Sequence, residues 1–152
     1  MSSLEHTVVV RRIAPAAALA VAVAFVGSCM KNLPTGTEGE LTAGINIHEH
    51  ANFLGDSAHL ESDASNLSEY NGPCEHSSYC SYGSCYDYNW DDCISSIKVA
   101  PGWRATIYRD SYFDGEALYV TADAPNLQLV RGTCDHGGLN DCISSIRVEH
   151  LH

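Results

Sequence analysis

Apolar and polar residues alternate with the period of a β-strand over much of the chain after residue 44. Ile45 and Ile47 are separated by a polar residue, and residues 117–121 alternate within a β-branched and aromatic run. Turn-forming residues recur every eight to twelve positions, which is typical of short antiparallel strands. No segment in this part shows a sustained helical period. The pattern predicts an all-β domain over 45–152.

Hairpins are expected at 52–55 and 113–115, where Gly55 and Gly115 would take a positive φ. Six apolar residues are expected to face the core, namely Ile94, Ile97, Val99, Ile143, Ile146 and Val148.

An internal repeat organises this domain. The Phe-Leu-Gly sequence at 53–55 precedes the Phe-Asp-Gly sequence at 113–115 by 60 positions. An acidic-serine motif at 91–97 recurs at 140–146, only 49 positions later. The difference predicts an 11-residue insertion in the first repeat. We therefore predict repeat one at 45–99 with an insertion near 77–87, and repeat two at 104–150.

Each acidic-serine motif places two acid or amide side chains three residues ahead of two hydroxyls. The first copy contains Asp91, Asp92, Ser95 and Ser96, and the second contains Asn140, Asp141, Ser144 and Ser145. Carboxylate, hydroxyl and carbonyl oxygens are the ligands that calcium prefers. Turn and strand-start chemistry is the alternative explanation. Because the full pattern occurs twice, the sequence favours metal binding.

A second pattern precedes each motif, consisting of an aromatic residue, four residues, an aromatic residue, one residue and a glycine. The matching residues are Tyr108, Phe113 and Gly115 in repeat two, and Phe53 and Gly55 in repeat one, where His48 replaces the first aromatic. Together the two patterns resemble the βγ-crystallin Greek-key unit of the microbial calcium-binding type. The resemblance covers about 45–150. It implies one disulfide-stabilised Greek-key β-sandwich made of two four-stranded motifs.

The resemblance also implies two calcium ions per domain, with each repeat contributing to both sites. In that arrangement Asp92 or Asp141 lends a carboxylate to one site, while Ser95 or Ser144 lends a hydroxyl to the other. Backbone carbonyls complete the sites. The predicted metal residues are Asp91, Asp92, Ser95, Asn140, Asp141, Ser144, Glu49 and Arg109. Ser96 and Ser145 are instead expected to cap the folded hairpins by hydrogen bonds.

The chain has seven cysteines. Cys29 is predicted to be lipidated, as described below, and the other six predict three disulfides in an exported protein. The repeat register favours Cys74–Cys93, Cys134–Cys142 and, inside the insertion, Cys80–Cys85. The alternative pairs Cys85 with Cys93 and Cys74 with Cys80. Closing such short loops contributes about 2–3 kcal/mol each when the geometry is unstrained.

The first 28 residues have the features of an export signal, since Arg11-Arg12 precede an apolar run at 14–26 that ends in small residues. Cys29 follows a sequence that resembles a bacterial lipoprotein box, which predicts lipidation there and retention at the cell surface or in the periplasm. An ordinary secreted protein, an uncleaved anchor and twin-arginine export are the alternatives. Residues 29–44 lack apolar periodicity and predict a flexible tether.

A formal net charge of −11 makes nucleic acid and anionic lipid poor partners and calcium a natural one. Membrane contact is expected only through a lipid anchor at Cys29. The chain has no nucleophile elbow, zinc-protease helix motif or phosphate loop. We predict a non-enzymatic bacterial protein with a structural or binding role.

Two other features leave alternatives open. The insertion is rich in tyrosine and serine, which suits either contact with a protein ligand or packing over the disulfide. Small bacterial metalloproteinase inhibitors and killer toxins resemble this fold, so either is an alternative function.

Two pairs of histidines are each separated by one residue, which places both members of a pair on the same strand face. The pairs are His48 with His50, and His150 with His152. Each pair is either solvated or a zinc or copper site.

Overall fold

The computed structural model describes residues 31–36, 39–80, 83–132, 134 and 138–152, without the side chains of 78–85. Its nine strands are β1 (Lys31–Asn32), β2 (Ile45–His50), β3 (Leu54–Leu60), β4 (Tyr70–Cys80), β5 (Gly83–Asn89), β6 (Ser96–Val99), β7 (Trp103–Asp110), β8 (Asp114–Val120) and β9 (Ser145–His150). Short 3-10 turns lie at Ala51–Phe53, Leu67–Glu69, Ser111–Phe113 and Leu127–Leu129. The described residues therefore confirm the all-β prediction.

The two repeats form matching antiparallel sheets. The first repeat has the strand order β3-β2-β6, and the second has the order β8-β7-β9. In each sheet the central strand pairs with the hairpin strand that follows it and with the strand that carries the serines. The repeat predicted from the 60-residue register is therefore also a structural repeat.

The repeats exchange one backbone segment each, which closes the Greek key. Ala64 of repeat one pairs with Ile146 of repeat two, and Ala124 of repeat two pairs with Ile97 of repeat one. The backbone hydrogen bonds of these bridges measure 2.8–3.0 Å. The expected fourth strand of each repeat is thus a single bridge and not a continuous ladder, and it lies on the other repeat's sheet.

Aspartate side chains reinforce this exchange. Asp63 Oδ1 accepts a hydrogen bond from the Val148 amide, and Asp123 Oδ1 accepts one from the Val99 amide, both at 2.9 Å. A carboxylate that accepts a backbone N–H makes a charge-assisted bond. These two aspartates therefore join the repeats where the ladder is shortest.

One apolar core lies between the two sheets. The six residues predicted to face it are all at most 8% exposed, namely Ile94, Ile97, Val99, Ile143, Ile146 and Val148. The core also contains Ile45 and Ile47 from β2, Ile107 from β7 and Trp90. Because both repeats supply these side chains, neither sheet can bury its apolar face without the other.

The two predicted hairpin glycines adopt the left-handed conformation, with φ of +76° at Gly55 and +78° at Gly115. Asn52 and Phe53, which the extended Leu54 separates from Gly55, also have positive φ values of +61° and +62°. A Cβ at Gly55 would lie 2.8 Å from Glu49 Oε2 and would have a strained backbone at this φ, so glycine suits the position.

The insertion forms most of a long hairpin. Strands β4 and β5 pair antiparallel from Glu75 opposite Tyr88 to Cys80 opposite Gly83. The Cys74–Cys93 and Cys134–Cys142 disulfides are both present, with Cα–Cα distances of 5.8 and 6.3 Å. They exclude the alternative in which Cys85 pairs with Cys93. The predicted Cys80–Cys85 bond lies outside the described side chains.

Part of the segment predicted as a tether contacts the domain. β1 pairs parallel with β4, and Lys31 Nζ lies 2.6 Å from Glu69 Oε2. Further along, Pro34 and Gly36 make backbone hydrogen bonds of 2.7 and 3.2 Å to β3. Residues 34–36 therefore cover the outer edge of β3, which would otherwise present unpaired backbone groups.

The export signal and Cys29 lie outside the described residues. Within the part of the chain that the structure describes, no helix has the length and apolar character needed to cross a bilayer.

Candidate functional site

The two acidic-serine motifs meet at one end of the sandwich and pair with each other. The Asp92 amide donates to the Ile143 carbonyl, and the Asp141 amide donates to the Ile94 carbonyl, both at 3.2 Å. Asp92 and Asp141 have positive φ values of +46° and +52°. Aspartate tolerates this left-handed region better than most residues, which suits the turn that precedes each serine strand.

The side chains of the two motifs cross between the repeats. Ser95 Oγ of repeat one lies 3.2 Å from Asp141 Oδ1 of repeat two, to which it donates a hydrogen bond. In the equivalent contact, Ser144 of repeat two bonds to the Asp92 side chain of repeat one. Each pairing places a carboxylate and a hydroxyl from different repeats side by side.

The electrostatic environment of Asp92 disfavours its ionised form. Partial burial is the largest cause that raises the pKa of this carboxyl, and the charges of Asp91 and Asp141 raise it further. His76 and the hydrogen bond from Ser144 oppose the rise. Three carboxylates therefore share one end of the domain at an electrostatic cost, which a bound dication would reverse.

Asp91 and Asn140 occupy equivalent positions but have different surroundings. The Asp91 amide donates to Asn89 Oδ1 at 2.9 Å, while Asp91 Oδ1 is buried without a hydrogen-bond partner among the described residues. Asn140 instead donates its side-chain amide to Asp141 Oδ2. A buried carboxylate oxygen without a donor is costly, so this position fits a cation ligand.

Glu49 and Arg109 lie at equivalent irregularities of the two sheets. The ladder of β2 and β3 shifts register between His48 and His50, and that of β7 and β8 shifts on either side of Arg109. The side chains do not point to a shared centre, since Glu49 Oε2 accepts from the Asp56 amide and Arg109 contacts Asp110. Any metal contact from these two residues would therefore use the backbone carbonyl, as expected.

The serine strands bring those irregularities next to the crossed pairs. The Ser95 amide donates to the His48 carbonyl and the Ser144 amide to the Tyr108 carbonyl, both at 3.0 Å. The site thus divides into two groups of potential oxygen ligands. One group is Glu49, Ser95 and Asp141, and the other is Arg109, Ser144 and Asp92.

Among the described residues, no group of three or more His, Cys, Asp and Glu side chains is placed to hold a metal ion. A hard cation here would therefore need neutral oxygens from serine hydroxyls and the backbone. Calcium accepts such mixed ligands in irregular geometry, whereas magnesium requires a near-ideal octahedron. The donor set of both groups accordingly fits calcium best.

Sequence reasoning did not place His76 at this site. The structure brings His76 close enough to Asp92 for its charge to affect that carboxyl, and His76 Nε2 is buried without a hydrogen-bond partner among the described residues. Its position two residues after Cys74, which is bonded to Cys93 within the motif, is the signal that could have indicated this.

Comparisons with known proteins find similar sequences over part of the chain and a similar fold over most of it. A family model for peptidase inhibitor family I36 matches residues 47–120. Development-specific protein S of Myxococcus xanthus is 42% identical to this chain over 55 residues, and a homolog of it in the same organism is 40% identical over 55 residues. These matches cover 36% of this chain and 27% and 26% of the relatives, so the chain spans about a quarter of their length.

A solved chain described as "Evolution of the eye lens beta-gamma-crystallin domain fold" is 25% identical, with a TM-score of 0.54. The match covers 78% of this chain and 97% of that one. Fold and site define a two-repeat Greek-key sandwich with crossed acidic-serine motifs. The chain therefore has the βγ-crystallin fold, and part of it is similar in sequence to development-specific protein S. The similarities described here indicate no catalytic family, and they support a crystallin-like binding or structural protein.

Proposed function

We propose that this chain is an exported, non-enzymatic protein whose domain binds two calcium ions, one at each crossed group. The observation that carries the proposal is the reciprocal contact of Ser95 with Asp141 and of Ser144 with Asp92. Each contact holds a carboxylate and a hydroxyl from different repeats within reach of one ion. An ion at either group would therefore bind the two repeats together.

The ligand chemistry implies a stabilising role. Each group offers one aspartate carboxylate with a serine hydroxyl and backbone oxygens, so few negative charges face each ion. Such sites bind calcium less tightly than the carboxylate-rich sites of cytosolic buffers. At the calcium concentrations outside cells, both sites would stay occupied and would add stability by mass action.

Thermal unfolding in calcium and in chelator tests this function. We expect saturating calcium to raise the unfolding temperature, since a site at a hundred times its dissociation constant adds about 2.7 kcal/mol. Magnesium should produce a smaller shift. Glu40→Gln removes one exposed charge away from the site and serves as the control, and it should keep the full calcium effect. An unfolding temperature that does not change with calcium would overturn the proposal.

Export and membrane anchoring form a separate part of the proposal. Two disulfides in the described residues support an oxidising compartment. Lipidation at Cys29 would hold the domain at a bacterial membrane surface. In a bacterial host, Cys29→Ser should release the protein from the membrane fraction. A variant that stays in the membrane fraction would contradict the lipid anchor.

Peptidase inhibition is a second candidate function, favoured by the match of residues 47–120 to peptidase inhibitor family I36. That range contains the β4–β5 hairpin, whose Tyr86 and Tyr88 are 60% and 52% exposed. Exposed tyrosines on a disulfide-supported hairpin can contact a partner with little loss of side-chain entropy. In this alternative the hairpin would occupy the cleft of a target enzyme.

Inhibition assays on a panel of metallopeptidases test this candidate. If the hairpin carries the activity, Tyr86→Ser and Tyr88→Ser should weaken inhibition, and deletion of 77–87 should abolish it. Tyr119→Ser is the matched control, because Tyr119 is 66% exposed on the second repeat. Equal inhibition by the deletion variant and the wild type would remove the hairpin from consideration.

A further inference from the structure

The chain contains two pairs of histidines separated by one residue, and the structure treats them differently. His48 is only 5% exposed and packs edge to face against Phe53 at 5.7 Å between ring centroids, while His50 is exposed. His150 and His152 are both exposed. The same spacing therefore leaves two accessible imidazoles only at the second pair.

The rings of His150 and His152 are close enough to share one metal ion. Their centroids are 5.4 Å apart with an interplanar angle of 62°. A first-row ion bonds an imidazole nitrogen at about 2.0–2.1 Å, which places each ring centroid about 3.2 Å from the ion. Two imidazoles on one ion then lie about 5.2 Å apart between centroids at a tetrahedral angle, and about 4.5 Å apart at the 90° angle of a square-planar Cu²⁺ site. The observed separation is close to the first value, and a shift of about 1 Å would give the second.

Contacts with the neighbouring strand hold the His150 ring and the backbone that leads to His152. His150 pairs with Trp103 at the end of β9, and the Leu151 amide donates to the Gly102 carbonyl at 2.7 Å. The Trp103 ring contacts His150 edge to face at 5.2 Å. Because the backbone at His150 and Leu151 is held by these contacts, less conformational entropy would be lost when an ion binds than at two mobile histidines.

The charges around the pair also suit a cation. The nearest carboxylate in sequence, Glu149, is neutralised by Arg104 at 2.8 Å. The chain as a whole carries a formal net charge of −11. The negative net charge therefore attracts cations in general, and the preference of imidazole nitrogen for transition-metal ions determines which cation binds.

We propose that His150 and His152 form a two-imidazole site for a borderline transition-metal ion, with Cu²⁺ bound more tightly than Zn²⁺ or Ni²⁺. Water would occupy the remaining coordination positions. This preference follows from the affinity of nitrogen ligands for divalent ions, which is highest for Cu²⁺. Calcium would not compete, because it selects oxygen ligands. The site is thus independent of the two proposed calcium groups.

Copper titration of the full-length chain with tryptophan fluorescence as readout tests the site. Bound Cu²⁺ should quench Trp103, which contacts His150, so wild-type fluorescence should fall and saturate. His152→Gln should raise the half-saturating copper concentration at least about tenfold, because one of two ligands is lost. His152 lies beyond the last strand, so this change leaves the fold intact.

Matched controls separate this site from others. His50→Gln removes an exposed histidine of the other pair and should leave copper binding unchanged, and so should Asp141→Asn in the proposed calcium site. Trp103→Phe should remove most of the quenching. The proposal is overturned if His152→Gln binds copper like the wild type, if His50→Gln weakens binding equally, or if quenching persists without Trp103. A failure of the calcium proposal would leave these outcomes unaffected.

Discussion

Consecutive serines in each repeat contact different partners. Ser95 bonds across to Asp141 of the other repeat, while Ser96 lies buried and bonds within its own folded hairpin. Ser96 Oγ donates to the His50 carbonyl at 2.6 Å and accepts from the Phe53 amide at 3.0 Å. The capping role predicted for the second serine of each motif is confirmed. The hydroxyl of the first serine does not take part in capping and lies in the candidate metal site.

Removal of the capping hydroxyl should destabilise the fold without affecting the metal site. Ser145 repeats the contacts of Ser96, since it donates to the Asp110 carbonyl at 2.6 Å and accepts from the Phe113 amide at 3.0 Å. Ser96→Ala or Ser145→Ala leaves two backbone groups unpaired, at a cost of about 1–3 kcal/mol each. Urea unfolding in chelator measures the loss.

The matched control for the serine variants is Ser62→Ala, an exposed serine in a loop of repeat one. It should unfold at the wild-type urea concentration. A midpoint for Ser145→Ala that equals that of Ser62→Ala would contradict the capping role.

The raised pKa of Asp92 predicts how the metal-free protein responds to pH. Burial and the neighbouring Asp91 and Asp141 favour the protonated form in the folded state more than in the unfolded chain. The folded state therefore binds the proton more tightly, so stability from this group is present at low pH and is lost as pH rises through the folded pKa. Asp92→Asn should abolish that loss.

Unfolding of the wild type and Asp92→Asn in chelator, from acidic to neutral pH, checks this expectation. Asparagine also suits a positive φ, so the variant can be more stable at every pH. The diagnostic result is that its advantage over the wild type grows as pH rises. An advantage that stays constant with pH would contradict the electrostatic account of Asp92.

At the scale of elements, the β4–β5 hairpin is an addition to the first repeat and not part of its core. In repeat two the equivalent cysteine, Cys134, is bonded to Cys142 at a sequence separation of only eight. Of the residues in 77–87 whose side chains the structure describes, none belongs to the buried core cluster. The Cys74–Cys93 bond lies at the base of the hairpin, where it connects to the candidate site.

Deletion of residues 77–87 should therefore leave the fold intact. The core, the exchanged bridges and both disulfides of the described residues remain, so the unfolding temperature and its calcium response should stay close to the wild type. Circular dichroism with thermal unfolding checks this. Loss of cooperative unfolding would mean that the hairpin is part of the fold after all.

The repeat made most elements predictable. Its register located the hairpin glycines, the six core residues and the two disulfides, because each copy supported the other. The exchanged bridge at Ala64 was not predicted, since its partner Ile146 lies far away in sequence and one bridge leaves no periodic pattern. The proximity of His76 to Asp92 depends on the path of the insertion, which sequence spacing does not specify.

At the scale of the whole molecule, the two repeats are interdependent. They share one core, exchange the bridges at Ala64 and Ala124, and pair their acidic motifs through the amides of Asp92 and Asp141. The candidate metal groups lie where the repeats cross, so each proposed ion would be bound by both. Calcium would accordingly stabilise the association of the repeats more than either repeat alone.

Calorimetric calcium titration of residues 30–152 tests this central claim most directly, with Asp92→Ala and Asp141→Ala measured in parallel. We predict two sites in the wild type, with each substitution weakening one of them. The two sites should differ in affinity, because Asp91 and Asn140 differ in charge and contacts. Absence of calcium-dependent heat in the wild type, or unchanged binding in both variants, would contradict the account.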